Sequence, residues 1–97
     1  MLDRVRAVVL RSLGGHRAVV YLFGSWAAGR PHATSDIDVA IDAPEPLPPA
    51  LLARLREALE ESAIPYRVDV VDLADADPPL RDRVRQEGIV WTASASA

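Results

Sequence analysis

Two aspartates, Asp36 and Asp38, stand one residue apart in an apolar segment whose remainder, residues 37–41, has the composition of a buried β-strand. Residues two apart in a strand point to the same face of the sheet. The pattern therefore predicts that both carboxylates share one face, while Ile37 and Val39 point into the core. Two like charges side by side repel each other, so a buried pair of this kind requires a compensating cation or ligand.

A third aspartate joins the pair if two strands are neighbours. Asp69 interrupts an apolar run at residues 66–73, which predicts another strand. If that strand pairs beside the one with Asp36 and Asp38, three carboxylates can converge. Such a cluster is costly when empty and suits a divalent cation, because Mg²⁺ prefers carboxylate and phosphate oxygens. The alternative is that the pair is solvated or caps a turn, which is the commoner role of an Asp-x-Asp sequence taken alone.

A glycine-serine turn precedes the paired aspartates. Gly24 and Ser25 directly follow an apolar, β-favouring run at residues 18–23, which predicts a central strand. Glycine has no Cβ, so the backbone at this point can come close to a ligand. Ser25 is predicted to begin a short helix over residues 25–28, whose free N–H groups would form an anion site; the alternative is an ordinary helix cap. Together with the aspartates, this turn would serve one triphosphate.

The other periodic segments predict helices around these strands. Apolar residues recur at three- and four-residue steps in two segments, and Pro78-Pro79 begins a third helical segment that Gly88 ends. The predicted helices cover residues 2–13, 51–59 and 78–86, and a candidate edge strand covers residues 89–91. The element order is therefore α-β-β-α-β-α with a candidate terminal strand.

Length and composition limit the class of protein. The chain has 97 residues, 49% of them hydrophobic and 26% charged, which is sufficient for one core and too short for two lobes. A net charge of −3 with scattered basic residues predicts no direct binding of nucleic acid. The absence of cysteine, of a signal peptide and of a long apolar run favours a cytoplasmic protein without a membrane segment. Residues 93–97 are expected to fray.

Gly24-Ser25, ten intervening residues and Asp36-Ile37-Asp38 resemble the signature of the DNA polymerase β-type nucleotidyltransferase superfamily. The small size resembles its minimal nucleotidyltransferase (MNT) branch. The likeness covers nearly the whole chain: the leading helix, YLFGS, SDIDVAI, VDVVDL and EGIVW. It implies an α/β (α+β) fold, with a small mixed β-sheet flanked by helices, as a single domain over residues 1–97.

The resemblance also implies a role for each site residue. Asp36 and Asp38 would bind two Mg²⁺ ions, for which Mn²⁺ can substitute, and Asp69 would be the third catalytic carboxylate and metal ligand. Gly24 and Ser25 would hold the β- and γ-phosphates of ATP. The implied reaction is in-line attack on the α-phosphorus with loss of pyrophosphate, which suits two-metal chemistry.

One position departs from the family pattern. Many minimal members have Gly-Ser-x-Ala-Arg-Gly, whereas this chain has Ala28 in place of the arginine and carries Arg30 two residues later. Arg30 is predicted to bind the nucleotide from this shifted position; the alternative is that it is solvated. Trp26 is expected to pack its ring rather than to stack on a base. No histidine base is needed, so His32 counts as a loop residue.

Minimal members that resemble this chain are commonly encoded beside a HEPN-domain RNase toxin. The resemblance therefore implies an antitoxin that transfers AMP from ATP to a tyrosine hydroxyl of a toxin encoded by a neighbouring gene, and that binds it as a hetero-oligomer. Two alternatives stay open: a non-catalytic binding module that neutralises its partner by contact, and transfer of a nucleotide to a small molecule. The complete set of glycine, serine and aspartates favours the enzyme.

Overall fold

The computed structural model describes residues 1–29 and 36–91. The helices in this part of the chain are α1 (Leu2–Leu13), α2 (Pro49–Glu61) and α3 (Pro78–Glu87), and the strands are β1 (Val19–Phe23), β2 (Ile37–Asp42), β3 (Val68–Asp72) and β4 (Ile89–Val90), with a 3₁₀ turn at Leu73–Asp75. The predicted order is confirmed, and the predicted ends lie within two residues of the observed ones. Predictions for Arg30, His32 and the tail at residues 93–97 fall outside the described residues.

The strands form one mixed sheet in the order β3-β2-β1-β4. β1 is antiparallel to β2 and to β4, whereas β2 and β3 are parallel. The parallel pair is joined through α2, as a parallel connection requires a crossover. In this register Asp38 lies opposite Phe23 on one side and opposite Asp69 on the other. The predicted neighbourhood of the two aspartate-bearing strands and the mixed sheet are therefore confirmed.

One face of the sheet carries the larger core. Ile37, Val39 and Ile41 alternate along β2 and are fully buried there, as the strand pattern predicts. The helices supply their apolar stripes to the same cluster: Val5, Val9 and Leu13 from α1, and Leu51, Leu52, Leu55 and Leu59 from α2. Burying these side chains is the main favourable contribution to folding in a domain of this size, at roughly 1.5–3 kcal/mol for each large one. Asp38, between Ile37 and Val39, must then face the opposite side.

The opposite face is covered in part by α3. A small buried cluster of Ala40, Leu73 and Val84 joins β2, the 3₁₀ turn and this helix. Arg85 of α3 also forms a two-bond ion pair with Asp42 of β2, with N···O distances of 2.9 and 3.2 Å. Because α3 packs on Ala40, Asp38 two residues earlier is left partly exposed. Each helix within residues 1–29 and 36–91 is too short or too polar to span a lipid bilayer.

Candidate active site

Asp38 lies at the centre of the candidate site. Its two neighbours in β2 are fully buried, so the core fixes the direction of the backbone that carries it. Burial raises the pKa of Asp38, and the negative charges of Asp69 and Asp36 raise that pKa further. The three predicted carboxylates therefore lie close enough for two of them to disfavour ionisation of the third.

Asp69 already has a cation beside it. Arg67, one residue before β3 begins, places its Nε 3.2 Å from Oδ1 of Asp69. The two side chains are 76% and 39% exposed, so water screens the pair and it contributes little to stability. Arg67 was not among the site residues predicted from the sequence. Its spacing from Asp69, two residues along an extended segment, is a signal that could have identified it.

The three carboxylates do not form a ready-made cation site. Within residues 1–29 and 36–91, no three histidine, aspartate or glutamate side chains are placed to hold a metal ion together. Their chemistry nevertheless fits a divalent cation, because the charged form of Asp38 is disfavoured by burial and by two like charges, and a bound cation would offset both effects. Metal binding by Asp36, Asp38 and Asp69 stays a prediction.

The raised pKa of Asp38 predicts a pH-dependent cost to folding. Because the pKa of Asp38 is higher in the folded chain than in the unfolded chain, the folded state binds this proton more tightly. The resulting stability is fully present below about pH 4 and is lost as the pH rises through the folded pKa. Asp38→Asn carries no such charge, so its stability relative to wild type should increase from acidic to neutral pH.

Urea unfolding of wild type and Asp38→Asn at acidic and at neutral pH, with a chelator present, measures this difference. The free energy of unfolding of the variant minus that of wild type should increase as the pH rises. A constant difference across this range would mean that Asp38 is not held at a raised pKa.

Gly24 is the residue through which the turn approaches Asp38. Its φ of 77° lies in the left-handed region that favours glycine. A Cβ at this position would collide with Oδ2 of Asp38 and lie 3.2 Å from its Cγ. The close approach that the sequence predicts at Gly24 is therefore made to the aspartate carboxylate. The position of the turn and the position of the carboxylate therefore depend on each other.

Residues 24–29 form a succession of turns, so the predicted short helix beginning at Ser25 is wrong. The Ala28 N–H donates to the Gly24 carbonyl at 3.1 Å, and the Gly29 N–H donates to the Trp26 carbonyl at 3.3 Å. Gly24 and Gly29 both have positive φ, at 77° and 73°. Positive φ is incompatible with a right-handed helix, so the two glycines confine any helical turn to the four residues between them, which are too few for a stable helix. Ser25 remains in the turn beside Gly24 and is partly exposed.

Trp26 ties this turn to the segment before β3. Its ring packs edge-on against Tyr66, with centroids 5.0 Å apart and planes at 74°. Both rings also pack against the larger core. The expected packing role of Trp26 is confirmed. An edge-to-face pair of this kind is worth about 0.5–1.5 kcal/mol beyond its buried area, so it helps to hold the turn in place.

Two hollows are lined by residues that neighbour Asp38 across the sheet, Gly24 in one and Asp69 in the other. The turn pocket, about 390 Å³, lies between the turn and α3 and is lined by Phe23, Gly24, Ala27, Ala28, Leu80, Arg83, Val84 and Glu87. The β3 hollow, about 540 Å³, lies between α2 and the edge strand β3, and its lining includes Arg56 and Glu60 of α2 as well as Tyr66, Arg67 and Asp69.

Comparison with known proteins identifies the family to which this fold and site belong. The family described as "Polymerase beta, Nucleotidyltransferase" matches residues 16–94. The chain belongs to the polymerase β nucleotidyltransferase family. The match covers all four strands of the nucleotidyltransferase domain and every predicted site residue.

Two curated relatives are similar to this nucleotidyltransferase domain. It is 39% identical over 71 residues, 73% of its length, to "Probable protein adenylyltransferase MntA" of Haemophilus influenzae. It is 39% identical over 70 residues, 72% of its length, to "Protein adenylyltransferase MntA" of Shewanella oneidensis. The chain spans 62% and 50%, respectively, of the lengths of these two proteins.

Solved structures of toxin–antitoxin complexes share the nucleotidyltransferase fold. A toxin–antitoxin with AMP-PNP matches with a TM-score of 0.70 and 31% identity, covering 89% of this chain and 71% of that one. A tri-AMPylated Shewanella oneidensis HEPN toxin in complex with MNT antitoxin matches with a TM-score of 0.61 and 26% identity, covering 94% and 71%. The predicted minimal-nucleotidyltransferase fold is therefore confirmed.

Proposed function

We propose that this chain transfers AMP from ATP to a protein hydroxyl, a tyrosine of a HEPN-type RNase toxin, and so acts as that toxin's antitoxin. One observation carries the proposal: Asp38 lies in register with Asp69 and directly beside the Gly24 turn, in a chain similar to MntA adenylyltransferases. The solved complex of the Shewanella oneidensis MNT antitoxin contains a tri-AMPylated HEPN toxin, and this similarity supports the choice of partner and acceptor. A cytoplasmic location suits a reaction that consumes ATP.

In this proposal some residues serve the attacking hydroxyl and others serve the leaving pyrophosphate. Asp36 and Asp38 would hold two Mg²⁺ or Mn²⁺ ions, and Asp69 would complete the set on the acceptor side. Bound ions of this kind supply Lewis-acid stabilisation of the attacking and leaving oxygens. Ser25 and the turn at Gly24 would receive the β- and γ-phosphates. As the acceptor oxygen bonds to the α-phosphorus, the hydroxyl proton passes to water and the bond from that phosphorus to pyrophosphate breaks.

The position of Asp69 supports a protein acceptor. β3 is the outermost strand on its side of the sheet, and the β3 hollow beside it is open. A hydroxyl carried on the surface of another protein can reach an edge strand without first entering a closed cavity. This arrangement favours a protein hydroxyl over a free small molecule, which would need a closed pocket for its own recognition.

Intact-mass spectrometry tests the proposal. The HEPN-type protein encoded beside this chain is incubated with the chain, ATP and Mg²⁺, with Asp36→Asn and Asp38→Asn run in parallel. We expect its mass to increase by whole AMP units with wild type and to stay constant with either variant. A stable complex without any mass increase would instead identify a non-catalytic binding module.

ATP together with Mg²⁺ is expected to raise the melting temperature of the chain. A ligand that binds only the folded state, at about a hundred times its Kd, adds about 2.7 kcal/mol to the free energy of unfolding. For a domain of this length, this corresponds to an increase in Tm of roughly 10 °C or more. Differential scanning fluorimetry with ATP, Mg²⁺, both and neither measures it. An unchanged Tm with both present at saturating concentration would argue against a nucleotide site.

A further inference from the structure

The three arginines of α3 differ in what they contact. Arg81 donates from Nε to the Leu73 carbonyl at 3.1 Å and from its terminal nitrogen to the Ala76 carbonyl at 3.0 Å. Arg85 is held by Asp42 through two bonds. Arg83 forms no hydrogen bond or ion pair with any residue in the described ranges 1–29 and 36–91. Two of the three guanidinium groups therefore anchor the helix, and the third is available to a ligand.

Arg83 lines the turn pocket, which it shares with Gly24 and Ala28. The walls of this pocket are otherwise mostly apolar, so they offer few groups that could neutralise an anion. Ala28 supplies no charge from the turn side, and Glu87, one helical turn beyond Arg83, is negative. Arg83 is therefore the cationic side chain among the described residues that line this pocket.

The order of the strands places Arg83 at a particular end of the site. Asp69 on β3, Asp38 on β2 and Gly24 after β1 follow one another across the sheet. The turn pocket lies beyond Gly24, on the side of Asp38 away from Asp69. If Asp69 serves the attacking oxygen, a nucleotide in line with that attack directs its leaving phosphates toward the turn and this pocket.

We propose that Arg83 binds the terminal phosphates of the nucleotide and neutralises the pyrophosphate as it leaves; this inference rests on the proposed function. When the acceptor oxygen bonds to the α-phosphorus, the bond from that phosphorus to the bridging oxygen breaks, and its electron pair stays on the β-phosphate. A guanidinium group is suited to this position, because it is always charged and can donate two parallel hydrogen bonds to phosphate oxygens. Arg83 supplies this positive charge from α3, whereas residues 24–29 of the turn carry no cationic side chain.

Binding of two nucleotides to three variants tests the inference. The probes are α,β-methylene-ATP with Mg²⁺, measured by calorimetry, and AMP with Mg²⁺, measured by NMR shifts that remain usable at millimolar Kd. Arg83→Gln should weaken binding of the triphosphate analogue by about tenfold or more, the loss expected for a hydrogen bond to a charged group. Binding of AMP, which has no terminal phosphates, should stay within about twofold of wild type.

Two controls separate charge from structure. Arg54→Gln removes the same charge from an exposed position on α2, the helix that packs on the other face of the sheet, and should bind like wild type. Arg83→Lys keeps the positive charge but loses the two parallel hydrogen bonds, so its affinity for the triphosphate analogue should lie between those of wild type and Arg83→Gln. Because Arg83 and Arg54 are exposed, and Arg83 forms no hydrogen bond or ion pair with the described residues, all variants should melt at the wild-type temperature.

The results distinguish the two proposals. Failure of wild type to bind the triphosphate analogue would overturn the proposed function itself. Wild-type binding that Arg83→Gln leaves unchanged, or an equal loss for AMP, would overturn the role of Arg83 while leaving the nucleotide site in place. Loss of binding in Arg83→Lys as severe as in Arg83→Gln would likewise overturn it, since charge would not be the cause.

Discussion

Asp38→Asn should reduce AMP transfer by about a thousandfold or more while the chain folds at least as stably as wild type at neutral pH. The loss follows from the several kcal/mol of transition-state stabilisation that metal ions provide and that their ligands must retain. The stability follows from the surroundings of the carboxylate. Burial and the charges of Asp69 and Asp36 disfavour ionised Asp38, so a neutral amide of the same shape removes a cost.

Two measurements on the same samples test this prediction: the initial rate of AMP transfer and the free energy of unfolding in urea. Asp75→Asn provides the control, because it removes the same charge from an exposed residue of the 3₁₀ turn and should leave the rate unchanged. Transfer by Asp38→Asn at the wild-type rate would remove Asp38 from the reaction. A marked loss of stability would show that its carboxylate supports the fold instead.

Gly24→Ala is expected to abolish most activity and to destabilise the fold. The backbone at Gly24 has a φ of 77°, which costs a residue with a side chain about 1–3 kcal/mol. The new Cβ would also collide with the carboxylate of Asp38 and lie 3.2 Å from its Cγ. Either the turn or the carboxylate must move. Since a displacement of about 1 Å in a reacting group can cost a hundredfold in rate, we expect at least such a loss.

Gly29→Ala separates the two causes. Gly29 lies in the same succession of turns with a φ of 73°, but a Cβ there would have nothing within 4 Å. Both variants should therefore lose a similar amount of stability from backbone strain, whereas only Gly24→Ala should lose most of its transfer activity. Chemical unfolding and the AMP-transfer assay, applied to the pair, measure this. Equal activity in the two variants would mean that the contact between Gly24 and Asp38 does not matter for the reaction.

Local patterns predicted the elements well because each element is determined by short-range periodicity. The alternation of Ile37 and Val39 with polar neighbours predicted β2 and its buried face correctly, because apolar side chains at every second residue share one face only in a strand. Leu51, Leu55 and Leu59 likewise indicated the face of α2 that is buried. The glycine-serine and aspartate signature then indicated the family, and with it the mixed sheet.

The contacts that assemble the site depend on residues far apart in the chain, so local patterns could not predict them. The sequence around Gly24 predicts only that a ligand can approach the backbone there. The Asp38 carboxylate approaches Gly24 because β1 pairs with β2, and local sequence does not reveal this pairing. The same holds for Arg83, which meets the turn because α3 packs over the end of β1. The helix predicted at Ser25 failed because propensity does not reveal that glycines on both sides adopt positive φ.

The contact between Trp26 and Tyr66 gives the domain an internal optical probe. The chain has two tryptophans, and they lie in different surroundings: Trp91 is 9% exposed in the core, whereas Trp26 is partly exposed in the turn that would receive the phosphates. Indole emission depends on the polarity around the ring and on nearby quenching groups. Movement of the turn would change the emission of Trp26 against the constant background of Trp91. Ligand arrival could thus be followed in real time on the unlabelled protein.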